Sequence, residues 1–297
     1  MPDLVETMPT VSVCICTRNR PDDLHRALAS VSASSHVVEE LIVSDDSTDS
    51  RTKDMVEAYY PSVKFTEGPR RGLGANRNNA LKLITSSHVL FMDDDVILAP
   101  DFVLRFKQYL ESIKCEPHSV IITGTEINRG TRVFPRRQSF LGFQEIEYTS
   151  AEPLSTIVIN STMFPTSVLR SLRFDDNLVY GYDEVDIAAR ATYLAGSEIH
   201  LIESAANFHF PSEINRDFYT PYVEASRIYV TFKKYMYLEH KPLKSITFLV
   251  IAIVHNLLFN IKRGRIKGLR EFAMTCHKAI SYLYICVGNP AGVLKDR

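Results

Sequence analysis

The chain of 297 residues carries almost no net charge, −1 at neutral pH. It lacks the strongly basic field that a nucleic-acid partner would demand. Cysteine is scarce: Cys14, Cys16, Cys115, Cys276 and Cys286 form no CxxC pairs. That removes a structural zinc site, and the odd number and irregular spacing fit buried free thiols in a reducing compartment. No glycine follows the first β-rich run, which continues as CTRNRPDD, and no GxGxxG follows any predicted strand. The first absence counts against a nucleotidyltransferase, whose phosphate loop belongs there. The second counts against a dinucleotide-dependent oxidoreductase. The opening MPDLVETMPT has neither the basic nor the apolar segment of a signal peptide, so a cytoplasmic body is expected. Internal repeats and low-complexity tracts are absent as well.

What is present is ordinary globular material, 45% hydrophobic and 23% charged. The length suits one large domain with an appendage. Short β-rich runs alternate with amphipathic helices. Strands are expected at residues 10–16, 41–44, 63–66, 88–92, 120–123 and 156–160. Helices are expected after Pro21, over 73–84, after Pro100 and over 184–195. Such alternation predicts an α/β fold with a mostly parallel sheet covered on both faces, and ligands beyond the carboxyl ends of its strands.

The residues just past those ends are polar. Thr17, Arg18, Asn19 and Arg20 follow the first strand, Asp45 and Asp46 the second, and Asp93, Asp94 and Asp95 the fourth. Three consecutive carboxylates repel unless a cation sits among them, so a hard divalent ion shared with a diphosphate is one reading of FMDDDV and a capping acidic turn the other. LIVSDDSTDS reads either as a nucleoside-binding turn or as an Asp/Ser turn before a helix. Arg77, in GLGANRNNAL, reaches a diphosphate or lies on the surface. In YGYDEVDIAARA, Asp183 and Glu184 open a helix, where acids also suit the dipole, and either can serve as general base. Asp186 and Arg190 have the spacing of a helical salt bridge. His209, in ANFHFP, is a core histidine or a metal ligand. Arg129, Arg132, Arg136 and Arg137 crowd an irregular stretch that suggests a mobile loop over the site.

Charge is unevenly placed. Lys241 to Arg270 holds seven Lys/Arg and no Asp/Glu, so the rest of the chain carries −8. Within this basic stretch, residues 246–261 are the most apolar of the chain but fall short of the roughly 20 residues of a membrane span. Asn256, Asn260 and Arg263 fall on one stripe, the pattern of a helix lying in an anionic interface.

In order, VSVCICTRNRPDDL, LIVSDDSTD, GLGANRNNAL, VLFMDDDV, INSTMFPTSVL, RFDDNLVYGYDEVDIAAR and FHF together resemble the family 2 glycosyltransferases of the GT-A fold, over residues 10–240. The resemblance implies a Rossmann-like GT-A nucleotide-diphospho-sugar transferase fold at 1–235 and a C-terminal helical, membrane-associating segment at 236–297. It implies a nucleotide-sugar donor, UDP- or dTDP-linked, and a glycan or lipid-linked acceptor. A divalent metal, Mn2+ or Mg2+, and inversion at the anomeric carbon go with it. Thr17, Arg18, Asp45 and Arg77 would line the donor, Asp93 or Asp94 would face the ribose, and Asp95, with Asp93 and His209, the metal. Asn160 and Ser161 would contact donor or acceptor. The family's Glu-Asp pair is reversed here to Asp183-Glu184. A catalytically inactive nucleotide-sugar-binding scaffold is the alternative from another class, against which the intact carboxylates stand.

Overall fold

The computed structural model describes residues 9–113, 119–211 and 216–295, apart from the side chains at 216, 217, 263, 265 and 266. The N-terminal stretch read for a signal peptide, but for its last two residues, and Cys115 lie outside the described residues. Along the chain run β1 (Val11–Thr17), α1 (Pro21–Ser32), β2 (Glu40–Asp45), α2 (Arg51–Tyr59), β3 (Lys64–Glu67), α3 (Leu73–Leu81) and β4 (His88–Asp93). Next come β5 (Val96–Ile97), α4 (Phe102–Ser112), β6 (Val120–Asn128), β7 (Thr131–Val133), β8 (Arg137–Gln138), β9 (Gln144–Ile146), β10 (Thr162–Pro165), α5 (Thr166–Leu172) and α6 (Asp183–Leu194). Then follow β11 (Glu198–His209), α7 (Arg216–Lys233), α8 (Pro242–Gly288) and α9 (Pro290–Leu294).

The main sheet runs in the order β3-β2-β1-β4-β10-β6-β11-β5, with β7 beside β6. β3, β2, β1 and β4 are mutually parallel, and β6 is parallel to β11. β10 runs antiparallel between β4 and β6. Along β1, Val13 and Ile15 join one apolar cluster and Cys14 the other, as the period of two requires. The first cluster takes Leu24 and Leu28 of α1 and Phe102 and Phe106 of α4. The second takes Phe91, Phe164, Leu169 of α5 and Ile187 of α6. Each such buried side chain contributes about 1.5–3 kcal/mol, so the sheet is sandwiched as expected.

Two local expectations fail. Residues 156–160 do not form a strand: the chain makes a 3-10 turn at Ile159–Ser161 and becomes β10 only at Thr162. The turn goes with Asn160, whose side chain and carbonyl are both spent on neighbouring strands, at Asp93 of β4, Glu126 of β6 and Asn207 of β11. The arginine-rich stretch is not an open loop either. Arg132 binds Thr125 and the Glu203 carbonyl at 2.7 Å each, and β8 and β9 form a hairpin under which Arg227 stacks on Phe143 at 4.1 Å.

The C-terminal helices are joined to the sheet domain by buried charge. Lys233 donates to Asp175 (2.7 Å) and Asp186 (2.5 Å). Asp175 also accepts from Tyr229 at 2.6 Å. Arg190 pairs with Asp186 at 2.7 Å and caps the carbonyls of Leu172 and Arg173. The expected helical salt bridge is thus a buried one. The boundary expected at 235 falls inside a π-turn at Lys234–Leu238, and one apolar cluster crosses it, joining Val185 and Tyr229 to Phe248, Tyr282 and Val293.

A straight helix of α8's 47 residues would be about 70 Å long. Yet Phe248 and Ala252 share that cluster with Ala279, Tyr282 and Cys286, and a Cβ on Gly268 would collide with the carbonyl oxygen of Asn260. α8 therefore doubles back between Asn260 and Gly268, and only glycine fits at position 268. The expected outward stripe is reversed. Asn256 and Asn260 are buried, the former donating to Glu224 at 3.2 Å and the latter to the Asn256 carbonyl at 2.9 Å. α7 already occupies that side, so the asparagines satisfy each other inside; Arg263's side chain lies outside the description.

Burial alone would push the Asp175 carboxyl up, but the Lys233 ammonium and the Tyr229 hydroxyl outweigh it and hold it well below the usual carboxylate range. Lys233→Met leaves that carboxylate without its cation and is expected to cost about 3 kcal/mol. A depressed carboxylate stabilises fully above its unfolded pKa and loses that contribution as pH falls through the folded value. The difference between wild type and variant in urea denaturation should therefore be flat near neutral pH and shrink below about pH 4.

Candidate active site

The strand register gathers the site. Thr17 lies level with Asp45, and Cys16 with Asp93, at the carboxyl edge of β2-β1-β4. Arg77, buried near the start of α3, faces this edge and donates to Asp93 at 3.1 Å and to Asp183 of α6 through a second nitrogen. One guanidinium thus holds two carboxylates from elements 90 residues apart in sequence. Its position comes from Gly72, whose φ of 121° and contact with the Val179 backbone leave no room for a side chain.

The three aspartates differ. Asp93 ends β4 with its backbone N–H on Asn160 Oδ1 at 2.9 Å. Asp94 turns inward, accepting from Thr17 Oγ1 at 2.8 Å and pairing with Arg20 at 3.0 Å. Burial pushes its carboxyl up to about 7, with Asp95 and Asp93 adding to the rise and Arg20 and Thr17 opposing it. Asp95 sits between Arg20 (3.4 Å) and His209 Nε2 (3.2 Å). His209 arrives because β11 pairs with β5, opposing His209 to Val96. Its Nδ1 meets Glu126 at 2.7 Å. Burial lowers the imidazole pKa, but the Asp95 and Glu126 carboxylates outweigh that and push it up to about 10. His209 thus joins Asp95 to Glu126, one acid on each ring nitrogen, and stands next to the carboxylate read as the metal's.

Asp183 and Glu184 open α6 after Gly181 and Tyr182, both in the left-handed region at φ 79° and 63°. Tyr182 there carries a strain of roughly 1–2 kcal/mol. Asp183 is buried against Arg77. Glu184 is half-buried, lies outside that ion pair and accepts from Gln144 of β9 at 3.0 Å. Burial raises the Glu184 carboxyl above its usual value against the pull of Arg77 and Gln144. The arginine-rich stretch thus reaches the site through Gln144 rather than through its arginines.

Other expected residues are placed differently. Asp45 is buried and turned on its own loop, accepting from the Ser47 N–H at 2.8 Å, an Asx turn of the kind that opens loops. Asp46 accepts from the Arg70 N–H at 2.7 Å. Arg18 is exposed at the rim. Asn160 and Ser161 are buried and cannot offer an acceptor surface. Asn160 instead bridges Asp93 to Glu126 (3.2 Å) and takes Asn207 on its carbonyl at 2.7 Å. Arg20 and Glu126 were missed. Arg20 stands in the same polar turn as Thr17 and was legible there, whereas Glu126 lies within β6, where no turn marks it out.

Six carboxylates (Asp93, Asp94, Asp95, Glu126, Asp183 and Glu184) thus meet Arg20, Arg77 and His209. The acids outnumber the cations two to one, so the centre suits a further cation. Among the described residues no three His, Cys, Asp or Glu converge on a ready-made metal cage. Mg2+ and Mn2+ bound with a nucleotide use one or two carboxylates and the phosphate oxygens, and Asp95 beside Asp93 provides that donor set.

Residues 12–173, more than half of the chain, match the family model described as glycosyl transferase family 2. The chain belongs to this family. As a glycosyltransferase it leaves the nucleotidyltransferase reading without support. It is 21% identical over 232 residues to the rhamnosyltransferase WbbL of Escherichia coli, covering 71% of this chain and 87% of that one. It is 32% identical over 97 residues to the GalNAc(5)-diNAcBac-PP-undecaprenol beta-1,3-glucosyltransferase of Campylobacter jejuni, 30% of each chain. The matches span under a third of the length of the first curated relatives. In fold it is similar to S. aureus TarS 1–349, solved in complex with UDP, at a TM-score of 0.58 and 17% identity over 95% of this chain and 91% of that one. The same TarS fragment has also been solved with UDP-GlcNAc. The expected GT-A-like architecture is thereby established, with the C-terminal helices added to it.

Arg77 makes a direct prediction. Arg77→Met leaves Asp93 and Asp183 buried together without a cation, and should cost about 3 kcal/mol in urea denaturation. Adding Asp183→Asn should recover 1 kcal/mol or more, on the order expected for coupled neighbours. Strictly additive costs would mean that the pairing does not organise the site.

Proposed function

We propose that this enzyme moves a sugar from a UDP- or dTDP-sugar, UDP being favoured, to a hydroxyl of a glycan or lipid-linked acceptor, with inversion. The observation that carries the proposal is that Arg77 ties Asp93, next to Asp94 and Asp95, to Asp183, next to Glu184; on this reading the first group serves the donor and the second the acceptor. Glu184 is the base. It is the more accessible of its pair, it lies outside the Arg77 ion pair, and its raised pKa strengthens it as a proton acceptor. It takes the proton of the attacking hydroxyl as that oxygen reaches the anomeric carbon and the bond to the diphosphate breaks. One displacement with one base inverts the centre. Asp183 and Arg77 fix α6 against β4 so that base and donor keep their distance. Asp95 and Asp93 would hold Mn2+ or Mg2+, which when bound neutralises charge on the departing diphosphate. Thr17 acts through Asp94, and Arg18 at the rim is a donor contact. The TarS complexes support UDP, and the undecaprenol-linked substrate in the name of the Campylobacter relative supports a lipid-linked acceptor.

Calorimetry and turnover test this reading together. Wild type should bind UDP with Mn2+, and Asp95→Asn should lose the metal-dependent part. Glu184→Gln should still bind UDP but transfer at least 100-fold more slowly, on the order of a lost general base. Near-normal transfer by Glu184→Gln would remove it as the base.

The enzyme's place in the cell belongs to the same reading: it works at the cytoplasmic face of a membrane, docked through α8. Pro242–Lys262 is long and apolar enough to cross a bilayer by length and composition, but its buried asparagines and its packing on α7 favour lying flat. Leu243, Ile246, Val250, Val254, Leu258 and Ile261 form one exposed stripe, Leu243 at 81%. Lys241, Lys262, Lys267 and Arg270 are exposed beside it, with no acid from residue 241 to 270. An apolar face with a basic collar complements anionic lipid, each cation adding about 1 kcal/mol at the surface. The protein should co-sediment with phosphatidylglycerol vesicles at low salt, and less so in high salt or when Lys262, Lys267 and Arg270 become Gln. No sedimentation at low salt, with dimerisation instead, would assign the face to a second copy.

A further inference from the structure

Beside the acidic centre lies a group of aromatic rings that the transfer chemistry does not use. Tyr180, three residues before Asp183, stacks on Tyr219 of α7 with ring centroids 4.4 Å apart and planes 27° from parallel. Phe218 meets Tyr219 edge-on at 5.1 Å, and Tyr222 lies 5.8 Å from Phe218. Tyr180 is 43% and Phe218 57% exposed, so the group presents ring surface to solvent rather than filling a core.

The rings are fixed and close to the chemistry. The Tyr180 loop is tied down by Leu73 N–H on the Val179 carbonyl (3.1 Å) and by Ser226 Oγ on the Tyr180 carbonyl (3.1 Å). Burial raises the Tyr180 hydroxyl pKa, with the Asp93 and Asp95 carboxylates adding to the rise. On the other side of the aspartates, Phe210, 59% exposed, donates its N–H to the Asp95 carbonyl at 2.9 Å.

We infer that Tyr180, Tyr219 and Phe218 form a shelf that binds the pyranose ring of the acceptor by stacking. The inference rests on the transferase reading above. A sugar ring has one face of polarised C–H bonds and a rim of hydroxyls. An aromatic face carries negative quadrupole density that attracts such C–H bonds, while the rim stays free for the Tyr180 hydroxyl and the acids. A ring lying on the shelf presents a hydroxyl toward Glu184, three positions beyond Gly181. An alkyl chain gains nothing from the phenol hydroxyls and the flanking carboxylates, so the shelf fits sugar better than lipid.

Saturation-transfer NMR on the full chain, with UDP and Mg2+ present, tests this. The probes are the methyl pyranosides of glucose, galactose, mannose, N-acetylglucosamine and rhamnose. Irradiating the aromatic protons should transfer saturation to the C–H protons of one ring face of at least one probe. Tyr219→Ala should weaken that probe about tenfold, the order expected of an aromatic contact, and Tyr219→Phe should restore it. If Tyr219→Ala melts below wild type, the exposed Phe218→Ala serves and should weaken the probe in the same direction. The shelf is overturned if no probe receives saturation, if the alanine variants bind like wild type, or if octyl phosphate takes the site in place of the sugars. Failure of UDP and Mg2+ to bind wild type would instead sink the donor reading, whatever the pyranosides do.

Discussion

A guanidinium with almost no contact with water has to be matched by carboxylates, and Arg77 is matched by two. Removing such a group from solvent costs several kcal/mol before any pairing is counted. The arrangement persists because Asp93 and Asp183 would repel each other in its absence. The consequence is geometric. α3 provides the cation, β4 one acid and α6 the other, so the start of α6 cannot drift from the end of β4 without exposing a buried charge. The left-handed turn at Gly181 and Tyr182 is tolerated for the same reason: the chain must reverse there to bring Asp183 onto Arg77. Glu184 follows into its half-buried position, where burial raises its pKa and Gln144 orients it. The raised pKa and fixed orientation of Glu184 are by-products of how its neighbour is held.

The parallel half of the sheet was legible because its strands are short apolar runs ending in polar turns, and the period of two survives in VSVCIC and HVLFMD. FMDDDV was legible because adjacent acids require an explanation. What the sequence concealed depends on contacts between distant segments. Asn160 looks like a surface asparagine in INSTMF, but its amide is taken up by the Asp93 backbone and by Glu126, so it supports the site from beneath. His209 gives no hint of its partners in ANFHFP, because only the pairing of β11 with β5 and β6 puts an acid on each ring nitrogen. Asn256 and Asn260 form a polar stripe in any helical projection. Periodicity shows that they share a face, but only the position of α7 shows that the face points inward.

The division into a catalytic domain and a helical appendage follows composition but not mechanics. α6 belongs to both parts. Its first turn carries Asp183 and Glu184. Asp186, closing that turn, and Arg190, one turn further on, reach Lys233 of α7 and the backbone of α9, where Leu294 meets Arg190 at 3.5 Å. A helix is stiff along its axis, so a displacement of α7 or α9 cannot be absorbed between Asp186 and Glu184, which are two residues apart. The C-terminal helices therefore share in holding Glu184 in place. A bilayer pressing on the outer face of α8 would bear on the same cluster, since Phe248 on the inner face packs with Tyr229 and Val185. In this chain the exposed apolar face of α8 and Glu184 are separated by one apolar cluster and one helix.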